Sequence, residues 1–273
     1  MDHVSYAAES DGLQATAERL AAKLHVEPVE GGVHPRFGTR NVILPLAHER
    51  YVEVVEVLDH PSADKAPFGQ AVRARSELGG GWLGWVVRVD DLAALEQRLG
   101  RAAVDGNRRM PDGREFKWRQ LGVRGLQSDP QLPFFVQWDS GSPHPSDDAH
   151  TDVTIDSLEI GGDPERVKDW LGLPAETTSS VIQFHFVAPH GTPGLMSVTF
   201  NTAEGKSGQL QSRFEDEATR LTDRSNLLTK AIGEQADADP AQLSVQINAL
   251  LAQYQAAAKT FADLSKLSLL QYL

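Results

Sequence analysis

The sequence predicts an α+β fold. A strand–helix–strands unit occurs twice, a partial third unit follows, and a C-terminal α-helical hairpin ends the chain. Three observations predict it. The chain opens with a strand, a helix and then several strands. The same order returns from Trp82 onward. After Gly205 the alternating pattern gives way to long apolar stripes at helical spacing.

The first unit starts on Asp2-His3-Val4-Ser5-Tyr6, a short alternating strand with a histidine near its start. Residues 13–24 read as a helix, because Leu13, Ala17, Leu20 and Leu24 recur at three- and four-residue steps. Ser10 or Asp11 is the expected cap. Residues 30–41 read as a glycine-rich loop carrying His34, Arg36 and Arg40, and residues 41–46 as a strand. Tyr51-Val52-Glu53-Val54 opens the next strand, with a carboxylate in its middle. Residues 59–78 are polar and loop-like, with a short helix expected near 68–74.

In the second unit, residues 82–89 are a strand and residues 92–100 a helix with a glycine stop. Residues 114–121 and 133–138 are strands. Set against the first unit, residues 83–89 answer 2–8, and Phe135-Val136-Gln137 answers Tyr51-Val52-Glu53. A Pro/Ser/Asp-rich linker precedes the third unit. That unit is a strand at 155–160, a helix capped by Asp163 with Pro164 at its first position, and strands at 181–187 and 195–200. Two apolar stripes then run on either side of Asp239-Pro240, the second at heptad spacing. The expected domains are 1–139, 140–204 and 205–273.

Composition excludes several classes. A formal charge of -12 argues against general affinity for nucleic acid or anionic membrane. With no cysteine, there is no disulfide, thiolate zinc site or cysteine nucleophile. No apolar run approaches the roughly 20 residues of a membrane helix. The opening Met-Asp-His lacks a basic or apolar leader, so no secretory signal is expected and a cytoplasmic location is.

Residues 1–203 resemble the vicinal oxygen chelate superfamily, in its glyoxalase-like branch. The resemblance rests on Asp2-His3-Val4-Ser5-Tyr6, Gly32-Val33-His34-Pro35, Gly38-Thr39-Arg40-Asn41 and Tyr51-Val52-Glu53-Val54. It extends to Leu132-Pro133-Phe134-Phe135-Val136-Gln137-Trp138-Asp139 and His144-Pro145. It implies paired βαβββ modules of the glyoxalase/bleomycin-resistance kind around a shared cavity. Metal ligands, where present, come from the first and last strands of each module. His3 matches the first-strand ligand and Glu53 the last-strand ligand of module one; in module two these positions fall near Gly84 and on Gln137.

The resemblance therefore implies a site of His3, Glu53 and Gln137 for a divalent Zn, Mn, Ni or Fe ion acting as a Lewis acid, with Glu53 moving a proton. His34 or His144 could add an imidazole. His34, Arg36, Arg40 and Asn41 are the candidate substrate contacts, the arginines as an anion clamp. The implied activity is of lyase, isomerase or dioxygenase type on a small oxygenated metabolite. The alternative is a non-catalytic small-molecule binder of the bleomycin-resistance type, favoured by Gly84 and the neutral Gln137. Other readings stay open: Glu53 can point to solvent, and residues 38–41 can be a simple tight turn. The tail is similar to needle subunits of type III secretion systems in Asp239-Pro240-Ala241-Gln242-Leu243 and Leu269-Leu270-Gln271-Tyr272-Leu273. Homo-oligomerisation through the hairpin, or its docking on the rest of the chain, is the expected role, with needle-like assembly the alternative.

Overall fold

The computed structural model describes residues 1–110, 113–139, 144–147, 150–173, 182–188 and 193–202. The chain divides into two compact units, Met1–Ala218 and Thr219–Leu273. The expected helical hairpin lies outside the described residues.

The first module is β1 (His3–Ala7), α1 (Leu13–Leu24), β2 (Val29–His34), β3 (Thr39–Leu46) and β4 (Arg50–Val57). Two helices follow, α2 (Pro61–Lys65) and α3 (Pro67–Glu77). The second module is β5 (Gly81–Arg88), α4 (Ala93–Leu99), β6 (Val104–Arg109), β7 (Glu115–Leu121), α5 (Gly125–Ser128) and β8 (Phe134–Trp138). Its strands repeat the βαβββ order of the first. The third unit is β9 (Thr154–Gly161), α6 (Pro164–Leu171), β10 (Gln183–Val187) and β11 (Gly194–Asn201). The fold is mixed α and β with strands dominant, as the sequence predicts.

The two modules close one eight-stranded barrel in the order β1-β4-β3-β2-β6-β7-β8-β5. β1 runs parallel to β4 and antiparallel to β5, so it joins the modules. The opposite seam, β2 to β6, is held by one registered pair, Val33 with Arg109. β9, β10 and β11 form a separate three-stranded sheet.

All five residues of β1 are buried, so both its faces are covered. Val4 and Tyr6 turn to one side, into an apolar core with Leu13, Ala17, Leu24, Val52 and Val54. His3 and Ser5 turn to the other, as the two-residue period requires. On that side Val55, Phe68, Val86, Trp118, Phe134 and Val136 form a second core. Tyr51 and Glu53 share the side of Val55 on β4.

Three differences from the sequence reading have local causes. β2 runs through the stretch read as a glycine-rich loop. A Cβ on Gly31 would sit 2.1 Å from Asn41 Oδ1, and Gly32 has φ +106°, so both glycines permit close strand contact. β6 is Val-Asp-Gly-Asn-Arg-Arg, whose buried positions are Gly106 and Arg108, so it shows no apolar alternation. The N-cap of α1 is Gly12, without a side-chain cap; Leu13 N instead donates to Glu56 Oε1 at 3.3 Å. Asp163 does cap α6, accepting from Glu165 N at 2.9 Å.

Candidate functional site

The barrel encloses a cavity of about 30 Å³ lined by His3, His34, Asn41, Tyr51, Glu53 and Arg108 on its polar side. Phe37, Phe68, Trp118, Phe134, Val136 and Trp138 complete the wall, together with Gln120. That volume takes about two waters. A larger ligand enters only if aromatic side chains yield.

Glu53 is the centre of the polar group. It is 6 % exposed. Ser5, its register partner across the β1–β4 pair, donates Oγ–H to Oε2 at 2.9 Å. Asn41 on β3 donates Nδ2–H to Oε1 at 2.8 Å. Two imidazoles face the same carboxylate: His3 Nε2 lies 3.9 Å from Oε2, and His34 Nε2 lies 3.9 Å from Oε1. Those distances are too long for direct hydrogen bonds. Burial alone raises the Glu53 carboxyl, but the His3 and His34 imidazoles and the Ser5 and Asn41 hydrogen bonds outweigh it and hold it below its usual value. Glu53 is thus an anion at neutral pH.

Each imidazole is aimed by its other nitrogen. His3 Nδ1 lies 2.8 Å from Asp2 Oδ2, and His34 Nδ1 lies 2.9 Å from Thr39 Oγ1. Asp2 is fully buried. Its Oδ1 also meets His144 Nε2 at 3.2 Å, Trp138 Nε1 at 3.3 Å and Arg88 Nε at 3.7 Å. Burial pushes the Asp2 carboxyl up, and the His144 and His3 hydrogen bonds more than reverse it, so it stays well below the usual carboxylate range. An anionic Asp2 fixes Nδ1–H on His3 and leaves Nε2 to face the cavity. Tyr51 stacks on the His3 ring at 4.4 Å and 15°. Its hydroxyl is pushed up by burial and by the Asp2 and Glu53 charges. His34 sits among the edges of Phe37, Phe68 and Trp118, and burial is what pushes it down to about 4.

Four of the residues singled out from sequence therefore converge: His3, His34, Asn41 and Glu53. Three do not. Gln137 is on the other face of β8, where Oε1 accepts from Leu92 N at 3.1 Å and the side chain borders an outer groove with Arg88 and Asp90. The residues of β8 that face the cavity are Phe134, Val136 and Trp138. Pairing Gln137 with Glu53 was a one-residue slip, and in a strand that reverses the face. Arg36 pairs with Asp105 at 3.9 Å and Arg40 with Glu56 at 2.6 Å, both with side chains more than half exposed outside the cavity. Neither clamps anything inside.

The divalent ion implied by the resemblance does not fit these donors. Among the described residues no group of three or more His, Asp or Glu is spaced to hold a metal. Both Glu53 oxygens already accept hydrogen bonds. Module two supplies Val86, opposite His3, and Phe134 and Val136 on the cavity face of β8, while Gln137, the expected ligand, faces outward. Arg108 adds a positive charge to the same cavity.

Sequence reasoning missed Asp2, Ser5, Tyr51 and Arg108. Ser5 and Tyr51 had a signal, since each is two residues from a chosen residue on the same face. Asp2 and Arg108 had none.

Residues 1–177 match the family model described as Glyoxalase-like domain. Residues 198–273, which include the stretch similar to secretion-needle subunits, match the model described as Bacterial flagellin C-terminal helical region. No curated protein matches the chain. Among solved structures it is similar to a hypothetical protein from Staphylococcus aureus, with 16% identity, a TM-score of 0.56, and 76% of this chain and 92% of that chain covered. It is also similar to methylmalonyl-CoA epimerase from Mycobacterium tuberculosis, with 18% identity, a TM-score of 0.33, and coverage of 50% and 85%. A Streptomyces coelicolor methylmalonyl-CoA epimerase in complex with 2-nitronate-propionyl-CoA gives 17%, 0.34, and 52% and 97%. Among the described residues, no helix is long and apolar enough to cross a membrane.

Proposed function

The chain belongs to the glyoxalase-like domain family, and from that premise we propose that it is an enzyme moving a proton on a small oxygenated molecule inside the barrel. The observation that carries this reading is the line Asp2–His3–Glu53: Nδ1 of His3 on one carboxylate at 2.8 Å and Nε2 facing another at 3.9 Å. A base aimed into a buried cavity by a buried carboxylate is suited to proton transfer. The C–H bond next to a carbonyl breaks and its electron pair moves onto the carbonyl oxygen as an enolate, an enediolate where that carbon bears a hydroxyl. The proton goes to His3 Nε2 and returns from there to carbon. The charge that His3 gains lies between Asp2 and Glu53, which stabilise it. Asn41 and Ser5 hold Glu53 in place. The class is isomerase or lyase, without a metal in the step.

The test is deuterium wash-in. A panel of small hydroxy ketones, aldehydes and 2-oxo acids is incubated with the full chain in D₂O and followed by proton NMR. Exchange next to the carbonyl is expected with at least one compound, and His3→Ala should slow it roughly a hundred- to ten-thousand-fold. No exchange across the panel contradicts the proposal.

One observation favours a second reading. Phe37, Phe68, Trp118, Phe134, Val136 and Trp138 give the cavity a continuous aromatic and apolar wall, so the barrel would serve as a binding module for an apolar ligand. Thermal stabilisation by apolar or aromatic compounds, with no exchange, selects that reading. The C-terminal tail is proposed as an association element, supported by its heptad-spaced stripe and its flagellin-like match.

A further inference from the structure

One charged group in the cavity has no part in the proton-transfer step. Arg108 lies on β6 and is 3 % exposed, yet its side chain lines the same cavity as His3, Tyr51 and Glu53. Its Nε is buried without a hydrogen-bond partner. One face of the guanidinium lies over the Phe116 ring at 4.5 Å. A ring face satisfies charge but not the in-plane N–H donors.

Six arginines with more exposed side chains show a contrast. Arg19, Arg40, Arg73, Arg88, Arg119 and Arg166 each reach a carboxylate within 3.3 Å. Arg108 forms no ion pair among the described residues, even with Glu53 in the same cavity. Glu53 is instead satisfied by Ser5 and Asn41. A buried cation left without a carboxylate is costly to the fold, and a planar fork with open donors is the geometry that takes a carboxylate through two parallel bonds.

We propose that Arg108 seats the carboxylate of the ligand, so that the molecule held in this cavity is a small monocarboxylic acid. The proposal rests on the reading of the cavity as the ligand site. Size and charge both select the acid. A cavity of about 30 Å³ takes a carboxylate and little more before its walls move. A phosphate dianion would set two negative charges beside the anionic Glu53, whereas one carboxylate brings one charge to one cation. Seated there, the acid shares the cavity with His3.

The test is calorimetric titration of the full chain with pyruvate, acetate, acetamide and inorganic phosphate. Wild type should bind pyruvate and acetate with one site per chain and show no heat with acetamide. Arg108→Met should weaken both acids at least tenfold. Arg108→Lys, which keeps the charge and loses the fork, should fall between. If Arg108→Met melts below the assay temperature, Arg108→Lys carries the test. The proposal is overturned if neither acid binds, if acetamide binds as well as acetate, if phosphate binds more tightly than the acids, or if the variants bind like wild type. Acid binding that depends on Arg108, without proton exchange, defeats the proton-transfer reading alone. Exchange that is indifferent to Arg108 defeats this one alone.

Discussion

Asp2 Oδ2 lies 2.8 Å from His3 Nδ1, and both residues are buried at the start of the first barrel strand. Neighbours within a strand point to opposite faces. This pair meets because Asp2 precedes β1, where its side chain can turn back to the imidazole. The contact sets which nitrogen of His3 faces Glu53.

Asp2→Asn keeps an acceptor for Nδ1 and removes the charge. Proton exchange is expected to fall about a hundredfold or more, since the imidazole loses its fixed tautomer and its stabilising anion. NMR exchange rates on protein shown to be folded by its melting curve check this. An unchanged rate would show that Asp2 only fills space.

Glu53 and Asn41 form a directional pair, with Nδ2 donating to Oε1 at 2.8 Å. Glu53→Gln sets amide against amide and should cost about 1–3 kcal/mol in urea unfolding. Asn41→Asp in the same chain restores a carboxylate–amide pair. The double variant is therefore expected to be more stable than the two single losses add up to. Strict additivity would mean the hydrogen bond contributes nothing.

Much of the fold was legible in the sequence and half of the site was not. His3 and Glu53 stood out because each interrupts an apolar strand, and β1 and β4 carry strong alternation. β6 carries none: its inward positions are Gly106 and Arg108, so the strand and its buried arginine were both invisible. The likeness of Phe-Val-Gln to Tyr-Val-Glu points to Gln137, but it fixes residue type and not the face of the strand. Gly31 and Gly32 suggested a loop because glycine at a close strand contact and glycine in a turn look alike in sequence.

His34 gives the protein an acid-sensitive core. Burial pushes it down to about 4 from 6.5, so below pH 6.5 the unfolded chain binds a proton that the folded chain refuses. Its contribution is fully present above 6.5 and is lost as pH falls through about 4, roughly 3 kcal/mol in all. The depressed Asp2 and Glu53 carboxyls act in the same direction at lower pH. Urea midpoints from pH 7 to 4 should decline in wild type and decline less in His34→Gln. Parallel curves would remove His34 as the cause.

Deleting residues 206–273 should leave the barrel folded, since every strand of its eight lies within residues 3–138. Light scattering is expected to report a smaller oligomer for the truncated chain. A subunit number that stays the same would contradict an association role for the tail.

Whether the cavity transfers protons without a metal is tested most directly by deuterium exchange on metal-stripped protein. The full chain is dialysed against chelator, its metal content is verified as negligible, and exchange is followed before and after addition of zinc, manganese or nickel. The expected result is an exchange rate that the metals leave unchanged and that His3→Ala lowers about a hundredfold or more. Exchange that appears only when metal is restored would contradict it.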